Sequence, residues 1–240
     1  MRWCRLARTM GIMMGMMIGM TMPWACSSTS AGPLEHRDPS IAIAPAGELC
    51  VTRGAIEQAA ITEPTVRAFA PTSAGDAAQL AFTFRGDAPT ARALANGQDR
   101  RQVGLKLRAQ DGCNVVYVMW RLDPRPKLEV SVKRNAGKRT HEECGADGYT
   151  KVKPSHRAAP VPALVAGASH TLRAEIVGDE LFAWIDGALA WQGRLPDEAR
   201  ALVGPAGLRT DNLELADLEL SAAPHAGTAT ACKRGSTTEE

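Results

Sequence analysis

From residue 50 to residue 222 the chain alternates apolar and polar positions in short runs. Leu128, Val130 and Val132 interleave with Lys127, Glu129, Ser131 and Lys133, a period of two that gives a strand one buried and one wet face. The same alternation recurs at Leu80, Phe82 and Phe84, at Val103, Leu105 and Leu107, and at Leu172, Ala174 and Ile176. Residues 115–122 are apolar in both phases, as expected of a central strand lying under a second layer. Turn chemistry separates the runs. Gly178-Asp179 divides 170–177 from 181–186, Asp186-Gly187 suits a tight hairpin into 188–192, and Pro124 and Pro126 end the run before 127. Helical spacing is weak, allowing about two turns at 55–60 and again at 197–202. Roughly a dozen strands at short intervals predict an all-β fold, a two-sheet antiparallel β-sandwich.

The first 47 residues follow a different rule. Eight of the nine methionines fall within the first 22 positions, and Arg2, Arg5 and Arg8 are the only charges before Glu35. A basic start, an uncharged run from Thr9 to Ala25 and a small residue before the cut describe a secretory signal peptide over 1–25. The expected organisation is therefore signal peptide 1–25, flexible tether 26–47, sandwich domain 48–222 and polar tail 223–240. Charge changes with it. Removing three arginines from 28 basic against 26 acidic residues takes the formal charge from +2 to −1. No net basic field is left to attract phosphate, so nucleic acid is not an expected partner.

Ala25-Cys26 followed by Ser27-Ser28-Thr29-Ser30 resembles the lipobox of bacterial lipoproteins, in which the cysteine is acylated and becomes the mature N-terminus. Pro23 and Trp24 depart from that pattern, which leaves cleavage to a soluble periplasmic or secreted form open. The resemblance implies export and a lipid anchor on the membrane of the cell envelope. With Cys4 lost and Cys26 acylated, Cys50, Cys113, Cys144 and Cys232 remain, an even number that allows three pairings. Cys113–Cys144, flanking a hairpin, and Cys50–Cys232, joining the ends of the domain, are the expected disulfides. His141, Cys144 and His156 lack the spacing of a zinc site, and neither metal nor cofactor is expected.

From His170 onward the order of residues is familiar. His170-Thr171-Leu172-Arg173-Ala174-Glu175-Ile176, Ala183-Trp184-Ile185-Asp186-Gly187 and Gly204-Pro205-Ala206-Gly207-Leu208-Arg209-Thr210 resemble the C-terminal half of concanavalin A-like lectin/glucanase jelly rolls. The likeness is strongest to their laminin-G-like and 3-keto-glycoside-hydrolase-like branch, and it implies a jelly-roll sandwich. It says little about activity, because the scaffold hosts many. Asp186-Gly187 is turn chemistry rather than a catalytic dyad. Gly204 and Gly207 mark places where a side chain would obstruct neighbouring backbone.

Glycosidases need two carboxylates on one face. Glu142 and Glu143, Asp179 and Glu180, and Glu214, Asp217 and Glu219 offer no such array and read as solvated charge. No nucleophile elbow or phosphate loop is present either. If Val116, Val118, Trp120 and Leu122 face the core, Tyr117, Met119 and Arg121 face away; likewise Phe182 and Trp184 oppose Leu181, Ala183 and Ile185. Tyr117, Arg121 and Trp184 are thus the candidate ligand-binding residues, competing with the bland reading that such aromatics simply pack. The basic run Lys133–Arg139 is a solvated loop or a contact for anionic polysaccharide or lipid head groups. The expectation is a non-catalytic carbohydrate-binding or envelope-associated module, whose partners are polysaccharide or envelope components. A carbohydrate-active hydrolase of the 3-keto-glycoside type and a structural envelope protein are the alternatives. Mass spectrometry of the mature N-terminus checks the address: a diacylglyceryl-modified Cys26 is expected, and an unmodified terminus elsewhere would refute the lipid anchor.

Overall fold

In the computed structural model the described residues are 37–94, 96–157 and 160–232. The expected signal peptide, Cys26, the tether as far as residue 36 and the tail from 233 lie outside them. Alternation sorts itself into fourteen strands among the described residues. They are β1 (Ala44–Pro45), β2 (Cys50–Arg53), β3 (Thr65–Phe69), β4 (Ser73–Asp87), β5 (Gln102–Leu107), β6 (Val115–Arg121) and β7 (Lys127–Lys133). Then follow β8 (Tyr149–Val152), β9 (His156–Arg157), β10 (Ser169–Val177), β11 (Glu180–Ile185), β12 (Ala188–Arg194), β13 (Gly207–Asp211) and β14 (Leu213–Pro224). They form two antiparallel sheets, ordered β1-β14-β4-β10-β11-β12-β9 and β2-β3-β13-β5-β6-β7-β8. This is the two-sheet jelly-roll sandwich that the patterning and the resemblance both lead one to expect.

The apolar phase of each strand meets between the sheets. Leu80, Phe82, Val103, Leu105, Val116, Val118, Trp120, Val130, Val132, Leu172, Ala174, Leu181 and Ala183 belong to one buried cluster. Trp120 is fully buried, packs edge-on to Phe82 and His170, and donates its indole N–H to Pro162 O at 3.2 Å. Burying a Trp therefore leaves its one donor satisfied. The last two strands insert inside both sheets, β13 between β3 and β5 and β14 between β1 and β4. Late chain thereby zips early chain together. The turn glycines behave as expected: Asp186 and Gly187 take φ of 49° and 79°, the left-handed pair a type I′ hairpin requires. A Cβ on Gly207 would stand 2.2 Å from Ala68 O.

Both expected disulfides are present, Cys50–Cys232 and Cys113–Cys144. The first fastens the C-terminal segment, which leaves β14 and runs along 71–72 through His225 N–H to Thr72 O (3.0 Å) and Thr230 N–H to Pro71 O (2.8 Å). The polar tail is thus laid down as far as Cys232.

Three local features differ from expectation. The segment 55–60 is a turn in which Glu57 and Ala60 exchange backbone hydrogen bonds, and 197–202 holds only a 3₁₀ turn at Asp197–Ala199. A one-turn helix, α1 (His141–Cys144), stands where a loop was expected, its start marked by Thr140 and Glu143 in capping-box spacing. Ordered contacts also reach N-terminal of residue 48, as far as Arg37, the first described residue. The outer face of β10 and β11 carries Phe182, Trp184 and the fully buried Glu175, and such a face needs covering. Residues 37–41 cover it: Glu175 accepts hydrogen bonds from Ser40 N–H, Ser40 Oγ and Ile41 N–H at 3.0–3.1 Å. Trp184 Nε1 donates to Arg37 O at 2.9 Å, and the Arg37 guanidinium lies 3.9 Å from the Phe182 ring centroid. Serine and proline read as linker, yet here they form a strap.

The Cys50–Cys232 bridge spans a sequence separation of 182, a long loop whose release costs most in chain entropy. Replacing both cysteines by serine lowers stability by about 2–5 kcal/mol on that account. A calorimetric Tm lower by about 5–15 °C is expected for a chain of this size; an unchanged Tm would refute it.

Candidate functional site

The outer face of the β2–β8 sheet is not a plain wet surface. Strand register sets side chains in rows across it: Thr65, Asp211, Gln102 and Arg121 in one, Arg53, Arg67, Arg209, Gly104, Met119 and Glu129 in the next, then Lys106, Tyr117, Ser131 and Lys151. Arg209, Asp211, Gln102 and Lys106 are buried although they face away from the core. A charge withdrawn from water has to be paired. Asp211 meets that requirement by accepting from Arg209 Nε at 2.8 Å, Gln102 Nε2 at 2.6 Å and Thr65 Oγ1 at 3.5 Å.

Gly104 clears the centre. A Cβ there would lie 2.2 Å from Val118 O and 2.7 Å from Met119 Sδ. Across that gap the Arg209 guanidinium reaches to 5.4 Å from the Tyr117 ring, which stacks on Tyr149 at 6.1 Å and 24°, with Lys133 Nζ 5.2 Å from the Tyr149 ring. Cations alternate with aromatic faces, each pairing favourable once water is excluded. Tyr117 is buried in this stack, and Tyr149 is exposed at its outer end.

Two loops raise walls beside this floor. The loop from Arg92 to Arg100 is held at both feet by one side chain: Asn212 Nδ2 donates to Arg92 O and Arg100 O at 3.0 Å each, and Asn212 Oδ1 accepts from Arg92 N–H at 2.7 Å. The facing wall is α1 and its flanks. The Cys113–Cys144 bridge ties it to the β5–β6 turn, and Lys133 Nζ donates to Gly145 O at 2.7 Å. The buried Asn114 adds bonds to Lys138 O at 2.8 Å and from Arg134 Nη1 at 2.8 Å.

Floor and walls enclose two adjoining hollows that share Arg67, Leu94 and His141. The larger, about 570 Å³, is lined by Arg53, Arg67, Arg92, Thr140, His141, Glu142 and Asp211 among others. The smaller, about 210 Å³, adds Arg100, Gln102, Tyr117, Met119, Glu129, Tyr149, Lys151 and Arg209. The electrostatics are lopsided. Burial, and then Arg67, Lys133, Arg53 and Arg209, push His141 down to about 4, so it is neutral at physiological pH. Burial followed by Arg67 and Arg209 brings Lys106 and Lys133 down to about 8. Burial alone would raise Glu129, but Arg121 first, then Lys127 and Lys151, outweigh it and hold the carboxylate ionised.

The structure separates the three residues expected to bind ligand. Tyr117 lies in the smaller hollow. Arg121 stands beside it and acts through Glu129, donating from Nη1 at 2.8 Å. Trp184 is on the outer face of the other sheet, under the strap, and shares no surface with them. Alternation tells inside from outside but not which of two outsides. The basic run also divides: Lys133 is fully buried, and Arg134 is spent on Asn114. Arg67, Arg209, Asp211, Gln102, Glu129, Tyr149 and Asn212 were not singled out in the sequence. Their signal is a charged or polar residue set into an otherwise apolar strand, as in Thr65-Val66-Arg67-Ala68-Phe69 and Gly207-Leu208-Arg209-Thr210-Asp211.

No protein-family model matches the chain, and no curated protein matches it. Among solved structures it is similar to the carbohydrate binding module CBM66 from Bacillus subtilis, at 11% identity and a TM-score of 0.49, over 72% of this chain and 95% of that one. It is also similar to a tetrameric galectin from the ball sponge Cinachyrella, at 16% identity and a TM-score of 0.39, over 69% and 98%. Chicken galectin 2 gives 8% identity and a TM-score of 0.39, over 64% and 98%.

Lys106 supplies a test of the cationic face. Its folded value of about 8 lies below the ordinary 10.5, so between these two pH values the unfolded chain binds more protons. Stability therefore rises with pH through that window, and below it the buried charge is a standing cost. Lys106→Met should add about 1–3 kcal/mol near pH 7 and much less near pH 10, by urea unfolding at each pH. An equal gain at both pH values would refute the charge-burial account.

Proposed function

We propose that this protein is a non-catalytic carbohydrate-binding module, exported and held at the cell envelope by a lipid on Cys26, with polysaccharide or other envelope components as its partners. The observation that carries the binding reading is the walled groove over β3, β13, β5, β6 and β7. It combines an exposed aromatic face, Tyr149, with fixed donors and an acceptor, Arg209, Arg100, Gln102 and Glu129. A pyranose offers an apolar ring face and a rim of hydroxyls, and such a floor meets both. The site is set in advance: its walls hang on a disulfide and on Asn212, so little ordering entropy remains to be lost on binding. Two disulfides suit an oxidising compartment, which supports export. The groove carboxylates Asp211 and Glu129 each sit against cations, placed to hold arginines in position rather than to trade protons.

A glycan array followed by isothermal titration checks this reading. Retention on at least one polysaccharide is expected. Tyr149→Ala, which removes an exposed side chain, should weaken binding about tenfold while shifting Tm by only a few degrees, since aromatic anchors carry about 1–3 kcal/mol. No retention on any polysaccharide would remove the proposal.

A further inference from the structure

The groove has more cationic charge than its own fold consumes. Three of its carboxylates are occupied: Asp211 by Arg209, Glu129 by Arg121, Lys127 and Lys151, and Glu142 by an interaction of its own. Against them stand Arg53, Arg67 and Arg92, which line the larger hollow, and no hydrogen bond or ion pair of their guanidinium groups is found among the described residues. Arg67 is the sharpest case. It lies where the two hollows join, and its Nε is buried without a hydrogen-bond partner. Arg173 Nε under the strap is likewise without a partner, so what sets Arg67 apart is its place at the junction of the two hollows, both of which it lines.

Accumulating these cations is itself unfavourable. Arg53, Arg67 and Arg209 all contribute to depressing the neighbouring His141, so the groove holds like charges close together, while Asp211, which also acts on Arg53, is already paired with Arg209. The chain beyond its first 25 residues carries a formal charge near zero, so this cluster of cations stands out against a near-neutral whole. Resting on the carbohydrate-binding reading above, we infer that the groove selects acidic polysaccharide, with a uronate carboxylate or a sulfate ester seated against Arg67 and Arg53 and the neighbouring sugar on Tyr149. A guanidinium presents paired donors that can meet two oxygens of either group, the planar carboxylate or one edge of the tetrahedral sulfate. A nucleic acid fits less well, since one exposed tyrosine is a poor platform for successive bases.

Affinity electrophoresis of the full-length protein through gels containing polygalacturonate, chondroitin sulfate or carboxyl-reduced polygalacturonate tests the inference. Retardation by the first or the second is expected at least tenfold stronger than by the reduced, neutral polymer, and which of the two dominates tells carboxylate from sulfate. Arg67→Gln should abolish most of that preference, Arg67→Lys should restore part of it, and Arg125→Gln, on an exposed turn away from the groove, should leave it intact. If Arg67→Gln fails to fold by circular dichroism, Arg53→Gln carries the same expectation. Equal retardation by the neutral polymer, equal loss from Arg125→Gln, or equally tight binding of poly(dT) would overturn selectivity for acidic glycans while leaving carbohydrate binding standing. No retardation by these polymers together with no retention on the glycan array would overturn both.

Discussion

The fully buried carboxylate of Asp211 is the constraint around which the outer face of the β2–β8 sheet is arranged. A lone carboxylate in that position would cost several kcal/mol. It is tolerable because Arg209, Gln102 and Thr65 converge on it from β13, β5 and β3. The same pairing fixes the Arg209 guanidinium over Gly104, where it meets Tyr117 and thus the aromatic stack that ends at Tyr149. Floor, stack and donor positions descend from one buried ion pair. Next in the chain Asn212, at a positive φ of 57°, turns from the floor to hold the wall loop. Two successive residues therefore carry both the base of the groove and one of its sides.

The sandwich itself was plain in the sequence, because burial between two sheets imposes a period of two, and residues such as Leu128, Val130 and Val132 display it without ambiguity. The hairpin at Asp186-Gly187 and both disulfides were equally legible, for turn chemistry and cysteine parity are local or countable. The site was harder to see. Tyr117 was recognisable as facing outward, but Trp184 met the same criterion and sits on the opposite sheet, since alternation is silent about which sheet a strand joins. That information is in the long-range pairing of β13 with β3 and β5, which no window of sequence contains. The strap at 37–41 escaped for a related reason. Its serine and proline content is that of a linker, and only the buried Glu175 and the rings of Phe182 and Trp184, over 130 residues away, turn it into structure.

The two faces of the sandwich solve the same problem in opposite ways. On the β10–β11 side, outward apolar groups and a buried glutamate are covered by the chain's own N-terminal segment, and their hydrogen bonds are completed internally. On the β2–β8 side, comparable buried polar groups lie beneath an open groove; each face keeps one buried arginine Nε without a hydrogen-bond partner, Arg173 on the first and Arg67 on the second. One face is closed by the chain's own segment and the other is an open, walled groove.

The clamp made by Asn212 has an evolutionary consequence. It grips the wall loop at Arg92 and Arg100, and the described residues between them hydrogen-bond within the loop rather than to the sheet. Loop-closure entropy grows only with the logarithm of length, so insertions or deletions between those two feet are cheap. Changes of length there would raise, lower or reshape one bank of the groove while leaving its floor unaltered, so the segment between the two feet is where this fold can vary at least cost to itself.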